Sequence, residues 1–178
     1  MKRLASFVLA TVAGTLAVPS PAATPAAWAQ EPSGFAGIPI GKRLPTAGEI
    51  ADCPLFEPFR RENLPDELCV DTSKGVSAEA IALKHVPVGA VTGDGAVELR
   101  DGLVRSLRVT LDARHFAYAR AQLTDRYGAP HAHAVDEAGE TLTWSGEHVA
   151  VTLRQDASRG DAHGRALLEI RALAEPAR

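Results

Sequence analysis

The chain has 178 residues, 46% hydrophobic and 23% charged, with a formal charge of −3 at neutral pH. That composition excludes a disordered polyelectrolyte, a collagen-like repeat and a chain made mainly of membrane spans. The mild acidity, with charges interspersed, argues against a nucleic-acid partner and against a polybasic membrane patch.

Residues 1–29 read as an export signal. Lys2 and Arg3 form a short positive end, Leu4 to Val18 is almost wholly apolar, and Ala27-Trp28-Ala29 supplies a small-x-small cleavage site. Pro19 and Pro21 interrupt the apolar run before it reaches the length of a membrane span. The expected product is a mature chain from Gln30, in the periplasm or outside the cell, with no membrane insertion after cleavage. It keeps 149 residues with 17 basic against 22 acidic side chains, a formal charge of −5. That length suits one domain, 30–178.

Two cysteines remain, Cys53 and Cys69. In an oxidising compartment they are expected to form one disulfide, closing a loop rich in proline and charge. They stand in an irregular N-terminal region, 30–87. Here Phe35, Ile38 and Ile40 mark a short strand, and Thr46 to Glu49 has the spacing of a capping box before a helix that Pro54 stops. Ala80 to Val86 is a further strand, with Pro87 pointing to a sheet edge.

Residues 88–178 carry a helix-on-sheet pattern. Thr92 to Gly95 and Gly139 read as turns, and Val97 and Leu99 alternate as a strand. After Asp101-Gly102, Leu103, Leu107, Val109 and Leu111 form its partner. A three-residue loop, Arg100 to Gly102, is predicted, because it pairs Leu99 with Leu103 and keeps the apolar residues on one face. Asp112 caps a helix that reaches Tyr127, with Phe116, Ala119, Leu123 and Tyr127 on one stripe and Gly128 and Pro130 closing it. Leu142 and Trp144 then answer Val149, Val151 and Leu153 across a Ser145-Gly146 turn that pairs Leu142 with Val149. Trp144 is assigned to the core. A last strand carries Ala166, Leu168 and Ile170. The predicted fold is α+β: an antiparallel sheet covered on one face by one main helix, behind the disulfide-stapled region. The other face, with Arg108, Thr110, Thr143 and Thr152, is expected to be polar.

The sequence offers little chemistry. His131 and His133 are the candidate metal ligands, because residues two apart on a strand point to one side, with Asp136 or Glu137 as added carboxylates. Asp156 to Asp161 resembles a calcium loop but lacks the glycine and the closing carboxylate such a loop needs. Arg159-Gly160-Asp161 spells an adhesion tripeptide in a turn-prone stretch. A nucleophile elbow, a His-Glu-x-x-His helix and a Ser-x-x-Lys pair are absent. A dispersed site would draw on Ser106, Ser145 or Ser158 with His85, His115, His148 or His163. No glycine-rich loop leads into a helix to cradle phosphate.

The expectation is therefore a small exported, non-catalytic module that binds another envelope or secreted protein and carries no cofactor. The alternatives are a metal-binding protein or hydrolase built on His131 and His133, and a structural envelope protein.

Overall fold

The computed structural model describes residues 28, 31–44, 50–53, 67–137, 139–156 and 164–173. The strands β1 (Gly34–Phe35) and β2 (Ile38–Pro39) make a small hairpin. An eight-stranded antiparallel sheet contains β3 (Cys69–Val70), β4 (Ala80–Val88), β5 (Val91–Arg100), β6 (Leu103–Asp112), β7 (Ala132–Asp136), β8 (Gly139–Ser145), β9 (Val149–Asp156) and β10 (Arg165–Ala172). Its order is β3-β4-β5-β6-β10-β9-β8-β7. The α-helix among the described residues, α1 (Phe116–Tyr127), carries the chain from β6 in the middle of the sheet to β7 at its edge. The molecule is thus α+β and mostly antiparallel sheet. The boundary placed at 87/88 falls inside β4, so the sheet takes in residues assigned to the irregular region.

Strand alternation sorts the side chains into two faces. Ile81, Val97, Leu107, Ile170, Val151 and Trp144 form one apolar row running from β4 to β8. Gly95, Val109, Leu168, Leu153 and Leu142 form a second. Except for Ile81 the side chains of these rows are buried, and they share one core with Phe35, Ile38 and Ile40 and with Phe116, Ala119, Leu123 and Tyr127 of α1. The four helix residues are those expected from 3.6-residue spacing. Asp112 caps the 3-10 turn Ala113–His115 by accepting the Arg114 N–H at 3.0 Å. Gly128 ends α1 at φ +81°, its N–H bonding the Thr124 carbonyl.

The loops differ from the prediction in an instructive way. The β5–β6 connection is a two-residue loop, with Asp101 at φ +55° and Gly102 at φ +75°, pairing Leu99 with Val104. Arg105 is then an extra residue, so Val97 still faces Leu107. A bulge restores the face that a longer loop was invoked to protect. Val104 is accordingly buried and Leu103 is 41% exposed. Gly102→Val is expected to destabilise by at least about 1–2 kcal/mol, because a branched side chain resists left-handed backbone. Urea unfolding should show this loss, with Gly102→Asn much milder.

Between β8 and β9 the loop is Glu147-His148, and Leu142 pairs with Leu153, not Val149. The slip is four residues, an even number, so the apolar side chains keep the predicted face. Gly93 and Gly95, read as turn residues, lie inside β5. A Cβ on Gly95 would stand 2.5 Å from Val86 Cγ2, and one on Gly93 would stand 2.5 Å from the Thr110 carbonyl oxygen. Close packing, not a turn, explains both. The predicted capping box at Thr46 lies outside the described residues. The stretch expected to continue its helix instead bridges in parallel from Asp52 to Val70.

Cys53 and Cys69 are joined, with their Cα atoms 4.9 Å apart. The crosslink fixes residues 51–53 along the outer side of β3. Val70 donates its N–H to the Ala51 carbonyl at 2.9 Å, and Cys53 donates to the Val70 carbonyl at 2.8 Å.

Candidate functional site

The residues expected to carry chemistry are dispersed. His131 precedes β7, and its Nδ1 accepts the Ser145 backbone N–H at 2.8 Å; it also accepts the Trp28 indole N–H at 3.3 Å, a contact that cleavage before Gln30 would remove. His133, inside β7, places Nε2 3.0 Å from Glu140 Oε1. The same oxygen accepts from Arg120 of α1 at 3.0 Å. The two imidazoles thus serve different contacts, one at the end of β8 and one between β7, β8 and the helix. Asp136 accepts the Gly139 N–H at 3.2 Å, which shapes the β7–β8 turn. Among the described residues there is no group of three or more His, Cys, Asp and Glu that could hold a metal ion.

The serines and remaining histidines are equally separate. Ser106 donates its hydroxyl to Glu98 at 3.1 Å. His115 stands at the start of α1 and accepts from Arg114 at 3.2 Å. His148 lies in the β8–β9 loop, where Glu31 Oε1 accepts the N–H groups of His148 and Val149, both at 2.6 Å. His85 occupies the irregularity of β4 at φ +56°. Residues 157–163, which include Ser158, His163 and most of the calcium-like stretch, lie outside the described residues.

A polar face does assemble. Register places Ala82, Ala96, Arg108, Glu169, Thr152, Thr143 and Ala132 in one row across seven strands. Beside it run Asp94, Thr110, Leu167, Arg154, Thr141 and Ala134. Arg108 reaches Glu98 at 3.3 Å and Glu169 at 3.7 Å, and Lys84 reaches Asp94 at 2.7 Å. These groups are solvated, and such pairs contribute about 0–1 kcal/mol each. At the edge of this face Asp71 is buried, and its carboxylate accepts from the Ser73 hydroxyl and backbone N–H. Those hydrogen bonds, with a smaller contribution from Lys84, hold its carboxyl below the usual carboxylate range. That stabilising contribution is lost as pH falls through the lowered value.

A cleft of about 510 Å³ opens between the β1–β2 turn, the β4–β5 turn and α1. Gln122, Asp125 and Arg126 supply its polar groups beside Phe35, Val88 and Leu123. Tyr127, next to Arg126 at the end of α1, is 3% exposed, and its hydroxyl has no hydrogen-bond partner among the described residues. Burial pushes its pKa above the usual tyrosine value. Stability should therefore fall as pH rises from about 10 through the raised value, since the unfolded chain ionises first. Tyr127→Phe should abolish this alkaline loss and leave neutral-pH stability unchanged or raised by about 1 kcal/mol, because it removes an unsatisfied hydroxyl. Thermal melts at pH 7 and above pH 10 test both parts.

Sequence reasoning found Arg108, Thr110, Thr143 and Thr152 but missed Glu98, Glu169, Glu140 and Glu31. No local signal marks the last two, because their partners lie on other elements. Comparison with protein-family models, curated proteins and solved structures finds no match to this chain.

Proposed function

We propose that the chain is an exported, non-catalytic module that binds another envelope or secreted protein through the polar face of its sheet. The arrangement of Arg108, Glu169, Thr152 and Thr143 in one row carries this reading. In it, α1 and the β1–β2 hairpin close the apolar face and leave the polar one to solvent. A rigid sheet bearing fixed polar groups needs little ordering on association.

The chemistry of the face selects the partner class. Lys84, Arg108, Arg154 and Arg171 are matched there by Asp71, Asp94, Glu98 and Glu169, so no single sign of charge dominates. A nucleic acid or an anionic membrane would require an excess of basic groups. Threonine hydroxyls among balanced charges instead suit a folded protein with a polar, hydrated interface. The disulfide and the lack, among the described residues, of any helix long and apolar enough to cross a membrane are compatible with export.

The test is quantitative capture from envelope extract by the purified mature chain. One partner should be retained by wild type and by Arg114→Ala, a residue off the face, and lost with the double change Thr143→Arg and Thr152→Arg. Equal capture by all three proteins would sink the assignment of the surface. Mass spectrometry of exported protein should give an N-terminus at Gln30 and a mass two hydrogens below the reduced chain. Retention of Met1 would refute export by a cleaved signal.

A further inference from the structure

The two edges of the eight-stranded sheet are finished differently. At β3, residues 51–53 pair along the outer side of Val70 and are crosslinked in place. At β7, no described strand lies outside Ala132–Asp136, and all five residues are exposed. Val135 is 71% exposed. An open strand edge is a template for pairing, which folded proteins blunt with lysine, proline or a covering segment. Strand β7 contains neither lysine nor proline.

The direction of its backbone groups follows from the hairpin. Asp136 and Gly139 flank a two-residue loop and so form a hydrogen-bonded pair. Alternation makes Ala134 with Thr141 and Ala132 with Thr143 the next such pairs, consistent with the His131 N–H also reaching the Thr143 carbonyl at 2.8 Å. His133 and Val135 therefore turn their N–H and C=O groups outward.

We propose that this edge pairs antiparallel with β7 of a second copy, about a two-fold axis through Ala134, joining two sheets end to end. The register centred on Ala134 overlaps all five residues. It sets His133 opposite Val135 of the second copy as a hydrogen-bonded pair, and Val135 opposite its His133, so four outward bonds form. Ala134 faces Ala134 at the close, non-hydrogen-bonded position, where small side chains meet without clash. Asp136 falls opposite Ala132, so no like charges are opposed. Shifting the axis to His133 or Val135 carries the pairing past the strand ends and loses bonds. A symmetric, self-complementary contact of this kind closes at two copies. This inference does not depend on what the polar face binds, and variants of that face should leave it intact.

Sedimentation equilibrium of the mature chain should show a molar mass that rises with concentration toward two chains. Val135→Pro removes an outward N–H without touching the β7–β8 ladder, and should be monomeric at every concentration with an unchanged circular dichroism spectrum. Ala134→Cys should form a disulfide-linked dimer under mild oxidation. His133→Cys should not, because its Cα atoms in the two copies would be beyond the roughly 7 Å that a disulfide spans. A wild-type monomer up to millimolar concentration, dimers that persist in Val135→Pro, or crosslinking through His133→Cys in place of Ala134→Cys would each overturn the proposal. So would a monomer whose β7 edge is protected from hydrogen exchange only when a strand of a different protein is added.

Discussion

Trp144→Ala is expected to lower unfolding stability by about 3–5 kcal/mol, the range for emptying a buried aromatic site. Trp144 is fully buried at the end of the row that runs through Val97, Leu107, Ile170 and Val151. Its indole N–H also donates to the Gly128 carbonyl at 2.9 Å. Gly128 is where α1 stops, so one side chain ties the helix end to β8. Trp144→Phe separates the two contributions. It keeps much of the apolar contact but loses the hydrogen bond to Gly128, an exposed residue whose carbonyl water can then reach, at a cost of about 0.5–1.5 kcal/mol. Urea melts of the three proteins should rank wild type, phenylalanine, then alanine. Equal stability for the phenylalanine variant and wild type would show that the hydrogen bond contributes nothing.

Cys53→Ser should cost about 3 kcal/mol, the loop-closure contribution of a crosslink across 16 residues. The structure adds a local effect: without the bond, the two hydrogen bonds from residues 51–53 to Val70 must hold that segment alone. Reduced wild type and Cys53→Ser should then unfold at the same urea concentration, below the oxidised protein. Hydrogen exchange at the Val70 and Cys53 amides should rise before that of the sheet centre. If reduction leaves the urea midpoint unmoved, the bridge does not stabilise the fold.

Which face each strand residue occupies was readable because period-two alternation survives errors of register. Leu142 changed its partner from Val149 to Leu153 and stayed in the core. The bulge at Arg105 was invisible, since one inserted residue mimics a longer loop in the apolar pattern. Gly93 and Gly95 misled because glycine marks tight packing as readily as turns. On the polar face, Arg108 and Thr152 were legible from alternation alone. Their neighbour Glu169 was not, because it requires knowing that β10 returns between β6 and β9. Glu31 is further still from local reasoning. It lies 117 residues from His148, whose N–H it accepts, and no sequence spacing encodes that clamp.

The segment pinned along β3 has one more consequence. A sheet with one open end can link only once, so association halts at a pair. A sheet with two open ends has a valency of two and can add copies without limit. On the pairing proposed for β7, the Cys53–Cys69 bond, by holding residues 51–53 over Val70, keeps this second edge from offering Val70 to another chain. Under that pairing, reduction would leave only two backbone hydrogen bonds guarding the second edge, and the limit on growth would rest on them alone.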